Sequence, residues 1–115
     1  LMKTTTRYCY ACDLKNDPEL IASYKRYHKK GNVWPAIIAS IKTAGIEQLD
    51  IYLTGNRLFM IMEVNEEFDP EKKATRDAAN PEVQKWEALM WEFQQGLPWA
   101  KPGQKWVPLE HIFEL

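Results

Sequence analysis

The spacing of hydrophobic residues changes along the chain, and each change predicts an element. Residues 7–14 (R-Y-C-Y-A-C-D-L) are aromatic-rich and read as a first strand. Asp17-Pro18-Glu19 follows: an N-cap residue, a first-turn proline and an acid suited to a positive helix start. Leu20, Tyr24 and His28 then recur every fourth residue, with Ile21 on the same broad face. Gly31-Asn32 interrupts that pattern, and Trp34-Pro35 restarts it, with Ile37, Ile38 and Ile41 as its buried stripe. Gly45 after Ala44 suits a helix end. Residues 18–44 therefore read as a helix broken near Lys29–Val33, or as two helices in series.

Residues 48–54 alternate with period two: Leu49, Ile51 and Leu53 against Asp50 and Tyr52. Gly55-Asn56 predicts a hairpin turn. Residues 57–64 return as a strand apolar on both faces, hence covered on both. Residues 66–79 are charged and turn-rich, with room for a short helix. Asn80-Pro81-Glu82 repeats the helix-start signal. That helix is expected to run to about Gln95, with Val83, Trp86, Leu89, Met90 and Phe93 inside and Gly96 closing it. A loop follows, and W-V-P-L-E-H-I-F-E-L ends the chain as an apolar strand.

The order β-α-β-β-α-β predicts an α+β fold of the ferredoxin-like, split-βαβ kind: an antiparallel sheet with both helices on one face. The other sheet face would be open in a monomer, so a homodimer packed sheet to sheet, enclosing a pocket, is expected.

Composition narrows this further. The chain has 115 residues, enough for one domain over 1–115, with 45% hydrophobic and 27% charged residues. Net charge is −1 with acids and bases interspersed, which argues against nucleic acid as a partner. No apolar run reaches the roughly 20 residues of a membrane span, and the start L-M-K-T-T-T-R has no signal-peptide pattern. Leu1 ahead of Met2 reads as a leftover of expression. Cys9 and Cys12 form C-x-x-C, but on a strand that spacing puts the thiols on opposite faces. No second Cys/His pair completes a zinc site, so two reduced structural thiols in the cytoplasm are expected.

Three groups are candidates for proton chemistry. Tyr24 and His28 lie one helical turn apart on one face, and an imidazole titrates near neutrality. Set against a catalytic role is the ordinary reading, a half-exposed histidine in a basic run. Glu63 interrupts the apolar strand F-M-I-M-E-V, as a second acid/base group or as a structural carboxylate. His111, in L-E-H-I-F, reads as structural. Trp86 falls on an inner helical stripe and Glu87 beside it, which alone says only core and solvated neighbour. No phosphate-cradling Gly-rich loop, H-E-x-x-H or G-x-S-x-G is present.

Taken together, Tyr24 with His28, Trp34-Pro35, the strand pair around Gly55, Glu63, Trp86 and the C-terminal L-x-x-x-F resemble the L-rhamnose mutarotase family over about residues 7–115. The resemblance implies a dimeric α/β barrel of ferredoxin-like protomers. It also implies interconversion of the α and β anomers of a deoxy-sugar without metal or organic cofactor. By the same resemblance His28 falls on the proton donor, Tyr24 on a sugar-binding tyrosine, and Trp86 on the first of two adjacent sugar-contacting tryptophans. The chain departs from the pattern at Leu49, where the family has a sugar-binding tyrosine, and at Glu87, where it has the second tryptophan. It also carries two extra residues between His28 and Trp34. Both substituted positions would touch the sugar, so L-rhamnose and L-fucose stand as alternative substrates. A Glu87 carboxylate would accept hydroxyl hydrogen bonds where an indole stacks. Two other classes carry different expectations: a small oxygenase of the dimeric α/β barrel type, and a non-catalytic sugar-sensing module.

Overall fold

The structure is a computed structural model that describes residues 4–115; the reading of Leu1 falls outside them. It contains β1 (Thr6–Leu14), α1 (Pro18–Tyr27), α2 (Pro35–Thr43), β2 (Ile46–Thr54), β3 (Arg57–Val64), α3 (Pro70–Ala79), α4 (Pro81–Trp91), β4 (Gln94–Gln95) and β5 (Val107–Pro108). The sheet order is β2-β3-β1-β4, antiparallel throughout, with β5 also paired to β1. This is the ferredoxin-like arrangement expected from the element order.

Helix starts follow the Asx-Pro-Glu signal. Asp17 Oδ1 accepts from the Glu19 and Leu20 amides at 2.9 and 3.0 Å, and Asn80 caps α4 in the same way. A third copy, Asp69-Pro70-Glu71, starts α3, with Asp69 accepting from Glu71 and Lys72. The segment expected to be mostly turns is thus a ten-residue helix. It buries none of its residues, so a search for an apolar stripe passes over it while the cap signal does not.

Between Thr54 and Arg57, Gly55 alone takes a positive φ (56°). This is the Gly-first two-residue hairpin turn, whose twist matches the strands. Gly45 is tied to its place twice over. Its φ is +91°, and a Cβ there would stand 2.5 Å from Asn65 Oδ1.

Strand register sorts the sheet into two faces. Tyr10, Cys12 and Leu14 of β1, Leu58, Met60 and Met62 of β3, and Leu49 and Ile51 of β2 point to the helices. There Leu14, Leu58, Tyr24, Ile37, Val83, Trp86, Met90 and Phe93 form the main core. Ile37 is the buried member of the expected isoleucine stripe, whereas Ile38 is 38% exposed. Arg7, Cys9, Asp13, Arg57, Phe59 and Glu63 lie on the opposite face, where Arg57 grips the buried Asp13 carboxylate through Nε at 2.7 Å and Nη2 at 3.1 Å. Cys9 and Cys12 are free thiols on opposite faces, and burial pushes the Cys12 thiol up to about 12.

Two boundaries differ from expectation for one reason: the outer edge of β1 needs partners. The helix expected to reach Gln95 ends at Trp91, because Gln94 and Gln95 pair with Leu14 and Asp13 as the fourth strand. The Phe93 carbonyl accepts from the Lys15 amide at 2.8 Å, which holds the chain out of helical form. The C-terminal segment supplies only Val107–Pro108 and the Leu109 amide to β1. Pro108 has no N–H to extend the ladder, and Leu109–Leu115 lie exposed beyond it. His111 is therefore not in a strand; its Nε2 donates to the Phe113 carbonyl at 2.8 Å.

Candidate active site

α1 ends where the site begins. The His28 amide turns back to the Lys25 carbonyl at 3.2 Å, a tightening that leaves the Tyr24 carbonyl without its usual helical donor. The His28 side chain takes that vacancy, with Nδ1–H donating to Tyr24 O at 2.7 Å. A carbonyl only accepts, so the proton sits on Nδ1, and Nε2 is the nitrogen left for chemistry. The imidazole is stacked on the Tyr24 ring (centroids 4.1 Å, 29°) and meets the edge of Trp86 at 5.6 Å. Trp34 supports Trp86 from behind at 5.1 Å. Burial pushes the His28 imidazole below its ordinary value of 6.5, and the bond to Tyr24 O offsets only part of that. The resting imidazole is therefore neutral near pH 7, with a lone pair on Nε2.

These side chains line a cavity of about 520 Å³ between the helices and the sheet. Tyr24, His28, Leu49, Trp86 and Glu87 all border it. Its floor is apolar, from Leu49, Ile51 and Met60 of the sheet, and its exposed margin carries Lys42, Glu47 and Gln48. The pocket thus lies on the helix side of the sheet; the open sheet face, expected to enclose it in a dimer, lies on the other side. The K-K-G-N-V segment folds as a turn, with Asn32 Nδ2 on the Arg26 carbonyl at 2.7 Å, and returns Val33 to the cavity wall.

Glu63 is not at this site. It sits on the opposite sheet face, where Arg7 Nε donates to its carboxylate at 2.7 Å and Thr5 Oγ1 at 3.3 Å. Its polar character in an apolar strand reflects strand alternation toward that face.

Two cavity residues were not legible in advance. Gln94 Nε2 donates to the buried Tyr24 hydroxyl at 3.3 Å, while its Oε1 has no partner among the described residues. Burial raises the Tyr24 phenol well above its ordinary value, a shift that the Gln94 bond partly offsets. Tyr24 thus remains a neutral hydroxyl. Lys105, in the polar loop K-P-G-Q-K-W, borders the cavity beside Trp106. Gln94 would have been found by assigning its segment to the sheet. Lys105 carries no sequence signal that separates it from a solvated lysine.

The L-rhamnose mutarotase family model matches residues 7–115. The chain belongs to the L-rhamnose mutarotase family. It is 50% identical over 109 residues to an L-fucose mutarotase of Xanthomonas campestris pv. campestris, covering 95% of this chain and 87% of that one. It is 38% identical over 114 residues to a UPF0734 protein of Dictyostelium discoideum, covering 94% and 88%. The fold resembles the crystal structure of an L-rhamnose mutarotase from Formosa agariphila, with TM-score 0.69 and 24% identity over 96% of this chain and 98% of that one. Mutarotases are sugar isomerases, and this protein is one by family. Among the described residues no helix is long and apolar enough to cross a membrane.

Proposed function

We propose that this mutarotase interconverts the α and β anomers of L-fucose by proton transfer through His28. The observation that carries the mechanism is the fixed imidazole of a cavity-lining residue: Nδ1 is committed to Tyr24 O, which leaves the lone pair on Nε2. Ring opening removes the anomeric O–H proton and protonates the ring oxygen; rotation about C1–C2 then lets the ring close on the other aldehyde face. A neutral Nε2 takes the anomeric O–H proton while another group protonates the ring oxygen, and the imidazolium gives its proton back on closure. His28 thus donates only after it has accepted. Tyr24, Glu87 and a water are the groups that can complete the relay, whereas Glu63 lies off the cavity. No metal or organic cofactor enters this scheme.

L-Fucose is favoured over L-rhamnose by the 50% identical L-fucose mutarotase and by the two altered wall positions, Leu49 and Glu87. Homodimerisation through the open sheet face is part of the same reading. That face leaves Tyr52 59% exposed, and the adjoining tail leaves Ile112 and Phe113 85% and 73% exposed. The two free thiols fit a reducing cytoplasm.

The test is NMR saturation transfer between anomeric protons of L-fucose, L-rhamnose and their non-deoxy relatives. Fastest exchange is expected with L-fucose. In His28→Ala the enhancement should fall about 10²–10⁴-fold with unchanged circular dichroism; unaltered exchange would refute the assignment. Sugar binding without exchange by the wild type would instead indicate a sensing module, and light scattering reads the oligomeric state.

A further inference from the structure

Lys105 is an unusual lysine for a surface loop: its side chain is only 12% exposed. Its Nζ lies 5.0 Å over the Trp91 ring of α4. Among the described residues its hydrogen-bond partner is Glu87 alone, through the backbone carbonyl at 3.3 Å and Oε2 at 3.5 Å. Charge-assisted bonds ordinarily close to about 2.7–2.9 Å. A lysine side chain this little exposed, with only long contacts to Glu87, has donor capacity left over that another acceptor could complete. Glu87 is in the complementary state. Its carboxylate is half exposed, and Oε2 receives only the long contact from Lys105. Both residues border the sugar cavity, next to Trp86 and Trp106.

We infer that Lys105 is a sugar-binding residue, which with Glu87 reads two neighbouring ring hydroxyls of the bound hexose. The ammonium donates to one hydroxyl oxygen, and the carboxylate accepts the hydrogen of the next. The pair therefore reads the relative placement of the two oxygens, which an indole at position 87 could cover but not distinguish. This rests on the mutarotase reading above and deepens it: the element that distinguishes one 6-deoxy-L-hexose from another is a charge pair bridging α4 and the loop before β5. No proton leaves Lys105 in this role.

The experiment compares wild type with Lys105→Met and Lys105→Gln. It uses calorimetry and NMR anomer exchange on L-fucose, L-rhamnose and the 2-, 3- and 4-deoxy analogues of L-fucose. Lys105→Met should raise Kd and KM for L-fucose about 10–100-fold with kcat nearly unchanged, and Lys105→Gln less. The penalty should vanish for the one analogue that lacks the hydroxyl bound by Nζ. Wild-type affinity in Lys105→Met, or an equal penalty for every analogue, overturns the inference. Should both variants fail to melt cooperatively, the lysine side-chain ¹H–¹⁵N spectrum of the wild type decides. A protected ammonium signal is expected to shift on titration with L-fucose, and no shift overturns the inference. If the wild type speeds no anomer exchange yet Lys105→Met still weakens sugar binding, the catalytic reading fails and the Lys105 assignment holds. Exchange that is intact in both proteins, with equal affinity, has the reverse meaning.

Discussion

Tyr24 holds His28 twice, by its carbonyl at Nδ1 (2.7 Å) and by its ring against the imidazole face (centroids 4.1 Å). One residue thus sets both the tautomer and the plane of the other. This follows from their spacing of four on a helix that ends at the histidine. A histidine in the middle of a helix would find the i−4 carbonyl already occupied.

The first prediction concerns pH. Burial lowers the folded-state pKa of His28 below the ordinary 6.5, so the neutral base persists somewhat below that pH. The anomer-exchange rate should rise with pH through the lowered pKa and be flat above about 6.5. Stability carries the same sign: the unfolded chain binds this proton more readily, so His28 destabilises the fold as pH falls below 6.5. A ¹³C or ¹⁵N titration of the His28 ring gives the pKa directly. A value above 6.5 would contradict the resting lone pair.

Tyr24→Phe keeps the ring stack and the carbonyl but deletes the hydroxyl. Gln94 Nε2 would then lose its partner in a site where Oε1 already lacks one. Leaving a buried donor unsatisfied costs about 1–3 kcal/mol, a fall in Tm on the order of 5–15 °C for a domain of this size. Calorimetric melting checks it. The His28 titration should move little, because its hydrogen bond is to the Tyr24 backbone.

How far the sequence foretold this site depends on what kind of signal each residue carries. Tyr24 and Trp86 lie on helices with clear N-caps and His28 caps the end of α1, so periodicity places them on inner faces, and the family resemblance supplies the roles proposed for them. F-Q-Q-G extends the apolar period of α4, so Gln94 reads as helical. What overrides it is a long-range demand, the unpaired edge of β1, which no local window contains. Lys105 reaches the cavity only because β4 and β5 share that edge and bring their connecting loop back over α4. The face of Glu63 was readable from alternation alone. Arg7 and Glu63 are register partners, so opposite charges meet there, and the helix-facing side holds Met62 and Val64.

Gly45→Ala tests the junction of α2 and β2, which sets the register of Leu49. The alanine would have to hold φ near +91° and place its Cβ 2.5 Å from Asn65 Oδ1 and 3.2 Å from the Phe68 amide. Left-handed strain costs about 1–2 kcal/mol, and the clash with Asn65 adds to it. A loss of more than about 1 kcal/mol is therefore expected in urea unfolding. Gly55→Ala, at φ 56° with open space around it, should lose only the strain contribution and be the milder of the two.

Glu63→Gln separates a carboxylate near the chemistry from one on the far sheet face. The Arg7 side chain facing it is 68% exposed and that of Glu63 26%, so solvent screens the ion pair and it adds little to stability. The glutamine can still accept from Arg7, which limits the loss further. Anomer exchange should stay within about twofold of wild type across pH 5–8, because no proton of the reaction passes through a group walled off by the sheet. A drop comparable to that of His28→Ala, at unchanged Tm, would place Glu63 in the relay and require the sugar to be bound on the open face of the sheet instead.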